Sequence, residues 1–267
     1  AHWQDRSHVV TLMTQRHPLI AGNWKMNGGL AANEALVKAV IAGMPAHGAD
    51  AAVCVPSAYL AQVQSLVAGS RLALGSQDVS QHEQGAYTGE ISAGMLRDFA
   101  VRYAIVGHSE RRQYHGETDE QVAAKAQRAL SAGITPIVCV GETLAQREAG
   151  QTEQVVKRQL AAVIHHNGHC ISEIVVAYEP VWAIGTGKVA TAEEAASVCG
   201  KIREAISGLL GESVANSTRI LYGGSVKANN VAGFLKSPQV DGVLVGGASL
   251  DADEFSGIAR FQKHLAV

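Results

Sequence analysis

The sequence predicts an α/β chain folded as a closed (β/α)8 barrel in a single domain. Three observations lead there: eight short apolar runs rich in Val, Ile and Leu, longer stretches of helical period between them, and roughly 250 residues with no linker or low-complexity break. A doubly wound open sheet is the rival arrangement. The dinucleotide fingerprint G-x-G-x-x-G is missing after the first run, which reads Ala21-Gly22-Asn23-Trp24-Lys25-Met26-Asn27, and this favours the barrel. No fixed sequence period points to a solenoid.

In chain order the runs are Leu19 to Asn23, Ala51 to Val55, Leu72 to Ser76, Tyr103 to Gly107, Ile134 to Val140, Ile174 to Glu179, Ile220 to Gly223 and Gly242 to Gly246. Runs of this length and composition, alternating with helical segments, are parallel strands joined by crossover helices. Among the helices, Asp119 to Leu130 places Val122, Ala126 and Leu130 on one face, and Ala192 to Leu210 does so with Val198, Ile202 and Ile206. Thr118 followed by Asp119, Glu120 and Gln121 resembles a capping box. Gly133, Gly168 and Gly211 stand where helices stop.

Composition narrows the function classes. Hydrophobic residues make up 47% of the 267 and charged residues only 17%, below the usual value of about 25%, so much of the chain is expected to be buried, a subunit interface included. Lys plus Arg (22) nearly balance Asp plus Glu (24), so no net field draws the protein to nucleic acid or an anionic membrane, and an anionic ligand must be held locally. No apolar run approaches the roughly 18 residues that span a bilayer. Cys54, Cys139, Cys170 and Cys199 form no CxxC pair and read as reduced thiols of a cytoplasmic protein. Residues 1–17 read as an N-terminal extension, flexible or foreign to the native chain, with Met13 a plausible native start; residues 18–267 are the catalytic barrel.

Barrel chemistry sits at the carboxyl ends of the strands, so the polar groups that end each apolar run matter most. The first run ends in Asn23 and Lys25. Lys25 reads as a lysine snorkelling to the rim, as a fixed charge facing an anion, or as a Schiff-base nucleophile. The fourth run ends in His108, then Ser109-Glu110-Arg111-Arg112, the first turn of a helix. A histidine at a helix N-terminus is expected to have a lowered pKa, and its neutral imidazole suits hydrogen-bond donation to a carbonyl oxygen. The sixth ends in Glu179, whose pKa burial is expected to raise toward that of a general base. The segment His165-His166-Asn167-Gly168-His169-Cys170 reads as a solvated loop rather than a metal site, and no metal or cofactor is expected.

Beyond Pro180, Val181-Trp182-Ala183-Ile184-Gly185-Thr186-Gly187 reads as an apolar lid that closes over a ligand. With Lys188 it approaches a P-loop, but Trp182 stands where that motif requires glycine and Val189 where it requires Ser or Thr. Tyr222-Gly223-Gly224-Ser225-Val226 and Val245-Gly246-Gly247-Ala248-Ser249 end the last two strands, where backbone N–H groups build phosphate sites in such barrels.

From Pro18 onward the chain closely resembles the triosephosphate isomerase family, TIM barrels by fold. The likeness rests on Ala21 to Asn27, Gly85-Ala86-Tyr87-Thr88-Gly89-Glu90, Ile105 to Arg112, Ala177 to Gly187 and the two Gly-Gly turns, all in family order. That family is itself the worked example of a glutamate base beside a neutral histidine, so the assignment is inherited from it. The resemblance implies a cofactor-free isomerase of glycolysis and gluconeogenesis that interconverts dihydroxyacetone phosphate and D-glyceraldehyde 3-phosphate through an enediolate. It implies Glu179 as base, His108 as donor to the carbonyl oxygens, Lys25 as stabilising charge and Asn23 as an orienting group. Substrate phosphate falls to Gly185, Ser225, Gly246 and Gly247, and Ser109 and Glu110 stand behind the site.

The resemblance further implies a homodimer in which the segment Gln77 to Glu90 enters its neighbour and Thr88 reaches the other subunit's Asn23 and Glu110. Asp78 departs from the Asn expected after Gln77 and brings a negative charge into that segment. Two other readings stay open: a Schiff-base aldolase using Lys25, and a barrel that binds phosphate ligands without turnover.

Overall fold

The computed structural model describes residues 16–168, 173–184, 186 and 188–261. Eight parallel strands close in sequence order, β1 (Leu19–Asn23), β2 (Asp50–Val55), β3 (Leu72–Ser76), β4 (Tyr103–Val106), β5 (Thr135–Val140), β6 (Val175–Tyr178), β7 (Arg219–Gly224) and β8 (Gly242–Val245). β8 returns to β1 with Leu19 opposite Gly242, which closes the barrel. The strands fall on the expected runs because both of their faces are buried, and such strands read as continuous apolar stretches.

Alternate side chains divide between two cores. Leu19, Ala21, Cys54, Ile105, Ile137, Ala177 and Leu221 fill the barrel interior. Ile20, Val53, Leu74, Val106, Val138, Val176 and Val243 face outward against the helices. The helices used below are α1 (Leu30–Gly43), α2 (Leu60–Val67), α3 (Ala93–Asp98), α4 (Ser109–His115), α5 (Asp119–Ser131), α6 (Leu144–Glu148), α7 (Thr152–Asn167) and α8 (Ala192–Leu210). Thr118 and Gln121 form the expected capping box on α5, and Thr143 with Gln146 forms a second on α6.

Three details differ from the sequence reading. On α5 the buried stripe is Val122, Ala123, Ala126 and Ala129 with Lys125, and Leu130 is only half-buried. On α8 it is Ala195, Cys199, Ile202, Arg203 and Ile206, with Val198 at its margin. His165, His166 and Asn167 do not form a loop but the last turn of α7, and the His166 Nε2 lies 2.8 Å from Gln127 Oε1. His169 and Cys170 lie outside the described residues.

At the amino end of the barrel, Arg16 is already anchored: its Nε donates to Asp241 Oδ1 at 2.7 Å, while Arg203 Nη2 donates to Asp241 Oδ2 at the same distance. Residues 1–15 lie outside the described residues. Cys54, Cys139 and Cys199 are buried free thiols.

Candidate active site

At the carboxyl end of the barrel a cavity of about 530 Å³ is lined by Asn23, Lys25, His108, Glu179, Ala183, Ile184, Ser225, Gly246 and Gly247. Strands far apart in sequence thus deliver to one mouth most of the groups singled out from strand ends. His108 and Glu179 face each other, with His108 Nε2 at 3.1 Å from Glu179 Oε2 and both side chains buried. Lys25 Nζ lies 2.7 Å from Glu110 Oε1. Ser109 opens α4 and lines a neighbouring cavity that also touches Glu179. Thr88 is exposed and does not line this cavity. Gly185 and Gly187 lie outside the described residues.

His108 is the N-cap of α4, and its Nδ1 accepts the backbone N–H of Glu110 at 3.1 Å. A nitrogen that accepts cannot carry the proton, so the neutral ring holds its hydrogen on Nε2, the atom directed at Glu179. The sequence reading expected a lowered pKa from the helix terminus. Burial does disfavour the imidazolium, but the facing Glu179 carboxylate outweighs it and raises His108 above its ordinary value. Glu179 is corrected in the reciprocal sense. Burial pushes its pKa up as expected, yet His108, with Cys139 and Lys25 adding to it, more than offsets this and holds the carboxyl below its ordinary value. Its Oε1 is buried with no hydrogen-bond partner among the described residues.

Two glycines make room for Glu179. A Cβ on Gly141 would stand 1.7 Å from the Glu179 carbonyl oxygen, and one on Gly223 would stand 2.6 Å from Glu179 Cγ. Gly223→Ala is expected to drive the carboxylate from its place, lowering kcat on the order of a hundredfold and stability by about 1–3 kcal/mol. Steady-state kinetics beside a thermal melt would check both; wild-type kinetics in the variant would refute the steric reading.

Lys25 has a left-handed backbone, φ 55°, which costs a non-glycine residue energy and requires support. Asn23 Oδ1 accepts the Lys25 N–H at 2.9 Å, and Gln77 Nε2 donates to the Lys25 carbonyl at 2.8 Å and to that of Cys54 at 3.0 Å. Asn23 is therefore a turn residue and a wall of the cavity at once: its oxygen is spent on the backbone, which leaves the amide NH2 as its group for a ligand. Cys139, on β5 beside Glu179, stays a thiol, because burial first and the carboxylate second raise its pKa far above the usual value.

In the segment read as a lid, Val181–Ala183 form one 3-10 turn, and Trp182 and Ala183 are buried. Trp182 Nε1 donates to Glu142 Oε1 at 3.2 Å, and the Tyr178 hydroxyl donates to the same oxygen at 2.8 Å. The Arg147 guanidinium stacks 4.1 Å from the centre of the indole while pairing with Glu194. Thr186 Oγ1 donates to the Trp182 carbonyl at 2.6 Å. The tryptophan is thus held by Glu142 and by Arg147 of α6, which Glu194 of α8 pairs, while among the described residues of this segment Ala183 and Ile184 face the cavity. Gln77, Cys139 and Glu142 escaped the sequence reading. Glu142 was accessible to it, since Val140-Gly141-Glu142 ends an apolar run as Tyr178-Glu179 does.

Asp78 does not bring an unpaired charge. Its Oδ1 accepts from Lys125 Nζ at 2.8 Å, and its Oδ2 lies 3.1 Å from Arg111 Nη2.

The sequence that builds this site is similar to those of known proteins. The family model described as triosephosphate isomerase matches residues 18–262. The chain belongs to the triosephosphate isomerase family. It is 67% identical over 240 residues to the triosephosphate isomerase of Paracidovorax citrulli, covering 89% of this chain and 95% of that protein. It is 65% identical over 243 residues to that of Albidiferax ferrireducens, covering 91% and 98%, and 56% identical over 246 residues to that of Herminiimonas arsenicoxydans, covering 92% and 99%. Family membership and the closed barrel agree, since each independently requires eight strands feeding one mouth.

Proposed function

We propose that this chain is an isomerase that interconverts dihydroxyacetone phosphate and D-glyceraldehyde 3-phosphate. The observation that carries the reading is the pairing of Glu179 with His108 across a mouth that Lys25 shares and that the turns after β7 and β8 wall off. Family membership supports the same reaction.

The substrate carbon next to the carbonyl gives up its proton to Glu179, whose Oε1 has no competing hydrogen bond. The electron pair moves onto the carbonyl oxygen, where the Nε2–H of neutral His108 donates and the Lys25 ammonium opposes the growing negative charge. His108 gives its Nε2 proton to the former carbonyl oxygen and takes one from the hydroxyl on the first carbon; Glu179 then returns its proton to the neighbouring carbon as that first C–O becomes the new carbonyl, which completes the isomerisation. A substrate lying between the two side chains removes their direct contact. Burial, the largest influence on Glu179, is then opposed only by the weaker effects of Cys139 and Lys25, and the basicity of the carboxylate rises when the base is needed.

Backbone N–H groups at Ser225, Gly246, Gly247 and Gly185 hold the phosphate, and Ala183 and Ile184 exclude water as the lid closes. Lys25 is not a Schiff-base nucleophile in this reading, because an ammonium engaged by Glu110 at 2.7 Å has no free lone pair.

The working form is a homodimer in the cytoplasm, acting in glycolysis. The exposed segment around Tyr87 and Thr88, the nearly fully exposed Met26, and a cavity of about 500 Å³ beside Lys25 and His108 support the assembly. No helix among the described residues is long and apolar enough to cross a membrane. The test is conversion of either triose phosphate by the purified chain, followed through a coupled dehydrogenase. Rapid turnover is expected. A folded protein that binds a triose phosphate analogue without converting it would replace this reading with the ligand-binding one.

A further inference from the structure

Behind His108 lies an ion network that the reaction as described does not use. Glu117 is buried in the turn between α4 and α5, and its Oε1 accepts the backbone N–H of Gly107 at 2.9 Å. Gly107 is the residue immediately before His108. Glu117 Oε2 accepts from Arg111 Nε at 3.0 Å and from Lys125 Nζ at 2.8 Å. Each cation reaches on to Asp78, in the segment after β3. Two carboxylates and two cations thus close a ring that ties three separate parts of the chain to the backbone next to His108.

We infer that Asp78 is a positioning residue for the isomerisation: through Arg111 and Lys125 it fixes Glu117, and through Glu117 the peptide that aims His108. This rests on the activity proposed above and adds a residue to it. The physical argument is one of balance. Glu117 can hold the Gly107 N–H in one place only if the two cations on its other oxygen are themselves restrained. Asp78 pairs with both, from the segment after β3, outside α4 and α5. Without its charge, Arg111 and Lys125 compete for Glu117 alone, and the ring carries a net positive charge beside a cavity that Asp78 and His108 both line. The groups facing His108 are Glu179, Glu110 and Lys25, so an added positive field acts on the same coupled pair that performs the proton transfer.

Asp78→Asn keeps the shape and removes the charge, and it is compared with Asp78→Glu, which keeps the charge. In the Asn variant kcat is expected to fall on the order of tenfold with KM for dihydroxyacetone phosphate nearly unchanged, as loss of alignment in the transition state requires. The acid limb of kcat/KM is expected to move to lower pH, since removing a negative charge disfavours protonation nearby. Asp78→Glu should recover most of the lost kcat. If the Asn variant does not fold, Asp78→Ser removes the charge in the same space and must show the same split. Wild-type kcat and an unmoved acid limb in a folded charge-free variant would overturn the inference, as would a loss confined to KM. Absence of turnover in the wild-type protein would instead overturn the activity on which it rests.

Discussion

Glu179→Gln is expected to lower kcat for triose phosphate interconversion by about 10³- to 10⁴-fold while leaving affinity for a phosphate-bearing analogue nearly intact. The amide occupies the space of the carboxylate, which Gly223 bounds by close approach while Gly141 packs on the Glu179 backbone carbonyl, so the phosphate walls are undisturbed. Only the lone pair that accepts the proton is lost. The same change removes the partner that raises His108, leaving burial as the dominant influence, so the His108 pKa should drop below its ordinary value. NMR titration of the His108 ring beside the kinetic comparison would test both. Equal losses in turnover and analogue affinity would contradict the role of base.

His108→Gln should lower kcat on the order of 10²- to 10³-fold, the usual effect of removing one donor from a developing oxyanion. A glutamine retains an N–H but not the rigid ring that the Glu110 N–H orients through Nδ1. A second consequence separates positioning from chemistry. Glu179 is held below the usual carboxylate range by His108 against the upward push of burial, so without the imidazole its pKa rises. The base must be ionised to act, and therefore the acid limb of kcat/KM moves to higher pH in this variant. An acid limb that stays in place would show that the pair at 3.1 Å does not govern the ionisation of the base.

Acid stability should follow Glu117. Burial raises its pKa, but Lys125 and then Arg111 outweigh that and hold it below the ordinary 4.5. A depressed folded-state pKa means that the group stabilises the fold fully above pH 4.5, and that this contribution is lost as pH falls from there through the folded value. Glu117→Gln should therefore show a lower melting temperature at neutral pH and a flatter decline below pH 4.5 than the wild type. Parallel declines would remove Glu117 from the account of acid lability.

Much of this protein is written locally. The strands are legible because both faces of a parallel strand in a barrel are buried, so each appears as an apolar run that a polar residue ends. That rule alone finds Asn23, His108 and Glu179, and it would have found Glu142 had it been applied to β5. The capping box at Thr118 and the stop at Gly211 are equally local, since a helix end must satisfy its own backbone groups within one turn.

What the tertiary structure decided is which of these groups meet. Helix-terminus and burial arguments, each sound for an isolated residue, predicted a lowered His108 and a raised Glu179; barrel closure sets them face to face, and the contact reverses both directions. Gln77 on the Lys25 carbonyl, Glu142 on the Trp182 indole, and Asp78 on Arg111 and Lys125 belong to the same class. None of these pairings has a sequence signature, even where one partner, Glu142, does, because each joins segments that touch only after the sheet has closed. Periodicity reports what a residue does to its own element, whereas electrostatic interaction depends on distance and burial, and both are set by the fold.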